Sequence, residues 1–268
     1  GSSLYARDRF EELERNCVAY ANIDMPGMRG AADWSAVTAG PDFFDLAART
    51  VLDVTGQRGV SAGRIRAWDQ SFQNLGISSL FVWSSQLPPD SPYRTGGGAM
   101  PWWWHTEADT AEFCDREVFE TDARLYMAAL VRLLADEREA PRVETLWTEV
   151  NERLLRLEAD LSPVLDLSGL RGLLQDGLSA WKAKERSLES SLHAVRLLNR
   201  VCYSAREAHL QDWVNGNDFI PGLSEAATVL RKEMPARKRA IVVHYAITQR
   251  NRLLLLAEEL THLAALRA

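Results

Sequence analysis

Few residues in this sequence pair a metal-binding or proton-transferring side chain with a place where a strand end or loop would expose it; Asp24, His105 and Asp109 lead them. Asp24 closes the run Cys17-Val18-Ala19-Tyr20-Ala21-Asn22-Ile23, which reads as a short buried strand stopped by Pro26-Gly27. In open α/β sheets ligands bind at the carboxyl ends of strands, so a carboxylate there suits a metal ion; it equally suits a cap on the following turn. His105 lies in Pro101-Trp102-Trp103-Trp104-His105-Thr106-Glu107-Ala108-Asp109-Thr110. A neutral imidazole nitrogen at a loop edge can ligate a metal while a nearby carboxylate, such as Asp109, orients the ring through its other nitrogen. The alternative is a histidine stacked among tryptophans. Trp104 and its neighbours either pack or line a substrate pocket beside Gly96-Gly97-Gly98. Asp69, in Trp68-Asp69-Gln70-Ser71-Phe72, precedes a helical turn and a strand, and reads either as a helix cap or as a carboxylate beside the site.

The other four histidines, His193, His209, His244 and His262, fall in helical stretches without the His-Glu-x-x-His spacing that places two ligands on one helix face. They read as core or surface residues. Cys17, Cys114 and Cys202 are far apart and form no Cys-x-x-Cys pair, which argues against a thiolate zinc site or a disulfide framework and suits a reducing compartment such as the cytoplasm. The basic residues Arg231, Lys232, Arg237, Lys238 and Arg239 bracket Pro235 and read as a solvated turn between helices.

The elements that must position these groups follow two grammars. Up to residue 138 the apolar period keeps changing, as alternating strands and helices require. Residues 4–15 read as a helix, 17–24 as a strand, 42–55 as a helix ended by Gly56, 77–83 as a strand and 115–134 as a helix. Beyond Pro141 the period is helical nearly throughout, over 143–161, 170–187, 192–213, 222–233 and 237–266. The expected organisation is a domain over 1–138, α/β in class, followed by an all-α helical bundle over 139–268.

With 268 residues, of which 46% are hydrophobic and 25% charged, the chain has the balance of a globular protein able to bury a sizeable core. Its 31 Lys and Arg against 37 Asp and Glu give a net charge of −6, which disfavours nucleic acid as a partner. No apolar run approaches the roughly 20 residues of a membrane span.

Three segments, Asn22-Ile23-Asp24, Asp69-Gln70-Ser71-Phe72 through Leu75-Gly76-Ile77, and Trp104-His105-Thr106-Glu107-Ala108-Asp109-Thr110, resemble in order and spacing one superfamily of zinc peptidases. It contains the co-catalytic zinc aminopeptidases, glutamate carboxypeptidase and the transferrin receptor, and typically carries Asn-x-Asp, Ser-Asp-x-x-x-Phe before Gly-Ile-Pro, and His-Thr-x-x-Asp-Thr. The last match is the most specific. Phe219-Ile220-Pro221-Gly222-Leu223-Ser224-Glu225-Ala226 and the helices around it resemble the dimerisation domain of the glutamate carboxypeptidase and transferrin receptor branch.

The resemblance implies that residues 1–138 are the C-terminal part of a mixed-sheet zinc-peptidase fold acting on an amide or peptide bond. It implies two zinc ions, with Asp24 a ligand of one and His105 of the other, Asp69, Trp104 and Asp109 in the surrounding pocket, and a homodimer formed through the helical domain. The family's His-x-Asp and Glu-Glu motifs, which supply the remaining ligands and the general base, lie upstream of Asn-x-Asp. Only 23 residues precede Asp24 here, and Gly1-Ser2-Ser3-Leu4-Tyr5-Ala6 resembles the Gly-Ser-x-x-x-Ala that follows the Glu-Glu pair. The expectation is that an N-terminal stretch of the same protein completes the site and that this chain alone is inactive, since catalytic zinc takes three protein ligands plus water. Trp104 replaces a frequent family tyrosine and brings no phenolic O–H. The different class of function open to the same sequence is a receptor-like binding and dimerisation module that kept the fold and lost the metals.

Overall fold

The computed structural model describes residues 1–62, 71–83, 85–95, 100–208, 210 and 219–266. Asp69 with its expected cap, His209 and the glycine-rich stretch 96–98 lie outside the described residues. The chain forms two compact units, one of Gly1–Ala19, Ile65–Ser78 and Pro141–Ala268, the other of Tyr20–Arg64 and Ser79–Ala140. One break falls between Ala140 and Pro141, and the first nineteen residues and 65–78 belong with the helical unit.

The described residues are mostly helical, and their named strands make two small two-stranded sheets. In the unit that carries the candidate site, β1 (Ala19–Asp24) pairs with β4 (Ser78–Trp83), and β2 (Ala36–Val37) pairs in parallel with β3 (Val60–Ser61). A wider mixed sheet is not present among the described residues. Helix α3 (Phe44–Thr55) ends on Gly56, whose φ of 73° lets its N–H reach the Leu52 carbonyl at 2.8 Å. Helix α4 (Arg116–Ala135) starts at Asp115, whose carboxylate accepts the N–H groups of Glu117 and Val118 at 2.9 and 3.1 Å. The two helices pack together, and Tyr126 of α4 donates its O–H to the Asn22 carbonyl of β1 at 2.9 Å while meeting Phe81 of β4 edge-on. Through Tyr126, α4 thus touches both strands of the β1–β4 ribbon.

In the other unit, α5 (Val143–Leu161), α6 (Ser168–Lys182), α7 (Leu188–Tyr203), α8 (Pro221–Leu230) and α9 (Ala236–Ala265) bury one continuous core. Its centre is Leu146, Trp147, Val150, Leu154, Leu198 and Leu260, all without exposed surface. The spacing Leu146, Val150, Leu154, Leu157, Leu161 is the 3.6-residue stripe read from the sequence. The expected helix over 4–15 divides into α1 (Ser2–Asp8) and α2 (Phe10–Asn16), because the Arg9 backbone leaves the helical region at φ −104°, ψ 24°. Ser2 and Ser3 both reach Ser71 at 3.0 Å, and Tyr5 meets Phe72, so α1 docks on the turn at Ser71–Leu75. No helix among the described residues is long and apolar enough to cross a membrane.

Candidate functional site

Asp24 is the last residue of β1, and the chain leaves it through Met25 at φ 51°, Pro26, and Gly27 at φ 78°. Only glycine fits at 27: a Cβ there would lie 2.8 Å from the Cys114 sulfur and 2.9 Å from the Phe119 Cβ. The turn is sewn to the segment after the His105 loop, with Asp115 N–H donating to the Gly27 carbonyl at 2.7 Å and Arg29 N–H to the Phe113 carbonyl at 3.0 Å. Sequence neighbours of Asp24 are therefore fixed against sequence neighbours of Asp109.

The His105 loop is a succession of tight turns. Trp104 N–H donates to the Pro101 carbonyl, Thr106 N–H to Trp103 and Asp109 N–H to Thr106, at 3.0–3.1 Å, and the Thr106 hydroxyl also donates to Trp103 at 2.7 Å. The three tryptophans divide the alternatives left open by the sequence. Trp103 is buried, stacked on Phe113 at 4.2 Å and edge-on to Tyr93 and Trp102, and it anchors the loop in a small core with Met28, Ala31, Leu87 and Val118. Trp104 is partly exposed and lies nearly parallel to the His105 imidazole, with ring centroids 3.7 Å apart. His105 itself has φ 58°. A non-glycine residue in the left-handed region is uncommon and costs of order 1–3 kcal/mol, so it persists where the surroundings over-determine it.

Asp24, Trp104, His105 and Asp109 border one open cavity of about 320 Å3, together with Met25, Trp103, Thr110, Phe113 and Cys114. Four of the five residues singled out from the sequence thus meet at a single cleft, and the fifth, Asp69, is outside the described residues. Asp109 and His105 make no hydrogen bond to each other among the described residues. The cleft offers a metal ion an imidazole and carboxylates, the donor types zinc takes. Among the described residues, however, no group of three or more His, Cys, Asp or Glu side chains is placed to hold a metal ion. The donors present fit a share of a zinc site and do not fit a complete one.

Sequence reasoning missed Met25, Cys114 and Asp122 as parts of this region. Cys114 is exposed and borders the cleft, Cys17 is partly buried and Cys202 buried. Burial pushes the Cys17 thiol up, against a smaller lowering by the Arg196 guanidinium, and so reduces its thiolate fraction. Iodoacetamide at pH 8 is therefore expected to alkylate one thiol rapidly, with that phase absent from Cys114→Ser by mass spectrometry. A fast phase that survives the substitution would contradict the placement of Cys114.

No family model matches the sequence, and no curated protein and no solved structure gives a match.

Proposed function

We propose that this chain is the C-terminal part of a peptidase-like zinc hydrolase that cleaves an amide or peptide bond, with Asp24 and His105 as two of the metal ligands and the others supplied by upstream sequence of the same protein. The observation that carries the reading is the convergence of Asp24 and His105, 81 positions apart, on one cleft where both Met25 and His105 hold left-handed backbones. Such outliers gather at functional sites because function there outweighs local strain. In this reading β1 and β4 are the described part of a wider mixed sheet.

Zinc held there by Asp24, His105 and the upstream ligands would supply a water of lowered pKa and polarise the scissile carbonyl. The residues of this chain bind and orient. His105 presents an imidazole nitrogen, and the parallel Trp104 ring limits how that imidazole can rotate. Trp104, Met25 and Phe113 give the cleft an apolar wall that excludes water around the substrate backbone, while Thr110 and Asp109 provide polar groups beside it. Trp104 has no hydroxyl to donate to a developing oxyanion.

The direct test is hydrolysis of a mixed pool of free and end-blocked peptides and amides by the polypeptide carrying its upstream sequence. The account expects cleavage that a chelator abolishes and added zinc restores. Absence of any chelator-sensitive cleavage would favour the receptor-like binding module.

The same reading assigns the helical unit to homodimer formation. Leu155 of α5 and Leu255 of α9 are large apolar side chains left 52% and 68% exposed on that unit. Leu155→Asp and Leu255→Asp are expected to yield monomers in light scattering; unchanged dimers from both would remove the assignment.

A further inference from the structure

We infer that Asp122 is the positioning residue that sets the conformation of the 24–28 turn, and through it the direction of the Asp24 carboxylate. The inference rests on the proposed role of Asp24. Asp122 has no exposed surface and stands in the apolar stripe of α4, between Val118 and Leu125. A hydrophobic residue would fill that position at lower cost, because burying a carboxylate is expensive unless its oxygens are satisfied. No cation pairs with Asp122 among the described residues. Its oxygens instead accept three hydrogen bonds from three separate segments: Gly27 N–H at 2.8 Å, the Trp34 indole N–H at 2.7 Å and the Ser85 hydroxyl at 3.0 Å.

The first of these acts on the site. Gly27 is held from both sides of its residue by α4 and its cap, its N–H by Asp122 and its carbonyl by Asp115 N–H. Two residues earlier Met25 has φ 51°, a conformation that needs such external grips to persist. The grip on the Gly27 N–H needs an acceptor at the Oδ2 position, which Ser85 shares, while Trp34 takes Oδ1. Asparagine could keep the Gly27 bond through its amide oxygen and turn its N–H2 toward the indole, so the informative substitution is Asp122→Leu, which removes the acceptor outright. Trp34 and Ser85 tie the same carboxylate to the loop after the turn and to the segment after β4, which fixes Asp122 itself.

The test compares Asp122→Leu with Trp34→Phe, which removes one partner and leaves the Gly27 bond. The first readout is the Gly27 amide in 15N-glycine-labelled protein, by chemical shift and hydrogen exchange. The second is zinc affinity by chelator competition in the polypeptide with its upstream sequence. In Asp122→Leu the Gly27 amide is expected to shift and to exchange about tenfold faster or more. Zinc affinity is expected to fall about 10–100-fold, the range for residues that orient a ligand. Trp34→Phe, even if less stable, should keep both at wild-type values. Equal zinc affinity in the two variants would reduce Asp122 to a packing anchor.

If the wild-type protein binds no zinc, the proposed function fails, and the Gly27 amide alone decides: retained protection in Asp122→Leu overturns the role in the turn. Should Asp122→Leu not fold, Ser85→Ala leaves the shared Oδ2 to Gly27 alone. The Gly27 signal must then move while exchange and zinc affinity hold; an unmoved signal overturns the inference.

Discussion

Gly76→Ala is expected to destabilise the helical unit by about 3–5 kcal/mol, a large part of the stability of most domains. Gly76 follows the turn at Ser71–Leu75 with φ 80°, where an L side chain is strained before any contact is counted. A Cβ at this position would also lie 2.2 Å from the Arg196 carbonyl oxygen of α7 and 2.9 Å from its carbonyl carbon. Both are helix backbone, so no rotamer change relieves the clash. Nor can the segment slide away, because the Asn199 amide donates to the Gly76 carbonyl at 3.1 Å and to the Ser78 hydroxyl at 3.2 Å. Gly172→Ala is the control: it lies within α6 with open space around its Cα and should be stabilising by roughly 0.5–1 kcal/mol. Urea denaturation of the pair should separate them in opposite directions, and a Gly76→Ala protein as stable as wild type would contradict the close approach of α7.

Trp147→Ala is expected to cost about 3–5 kcal/mol, the range for truncating a large buried aromatic side chain. Trp147 has no exposed surface, and its indole lies over Gly177 of α6, where a Cβ would come within 2.7 Å of the ring. Trp181 sits beside it at 6.1 Å between centroids, and Thr261 of α9 also borders the Gly177 position. The indole thus fills the space where α5, α6 and α9 meet, and alanine would leave a cavity there. Trp147→Phe separates volume from polarity. Among the described residues the buried indole N–H has no partner, so phenylalanine removes an unsatisfied donor while losing part of the ring volume. Its cost should stay below about 1.5 kcal/mol. Equal losses from Phe and Ala, read by thermal unfolding, would mean that the N–H rather than the volume matters.

How far the sequence carries the fold depends on how locally each element is encoded. Helix α5 begins just after Pro141 and follows an unbroken Leu and Val stripe, and its observed limits are those of the periodic run. The Asp115 cap and the Gly56 terminator are single-residue signals for α4 and α3, and both are used as such. The run expected to be helical over 192–213 instead starts earlier and stops at Tyr203, since Ser187 caps the Ser190 N–H and Ser204 turns extended at φ −125°, ψ 139°. Neither terminus disturbs the apolar period, so periodicity could not place them. The two-residue strands β2 and β3 are too short for any alternation to show.

The site divides in the same way. Asp24 and His105 stand out because their residue types suit ligands, yet nothing in their local patterns brings them together; the meeting is made by hydrogen bonds such as Asp115 N–H to Gly27. The left-handed backbones at Met25 and His105 are hidden because neither is glycine. Asp122 did leave a trace, an acidic residue within the stripe of Val118, Leu125 and Ala129, but on a helix read for its apolar face it passes as a surface charge. A carboxylate in a stripe that should be buried is a signal that something must be held.

The central claim is that Asp24 and His105 are metal ligands, and zinc content measured by mass spectrometry tests it most directly. The proteins compared are the polypeptide with its upstream sequence, its His105→Ala and Asp24→Asn variants, and this chain alone. The account predicts near two zinc ions per subunit in the first, a clear loss in each variant, and none retained by the chain alone. The loss in the variants should reach at least about 100-fold in zinc affinity, beyond what residues that merely orient a ligand contribute. Zinc absent from the complete polypeptide, or bound equally well without His105 and Asp24, would contradict the account and leave the cleft a relic on a binding and dimerisation module.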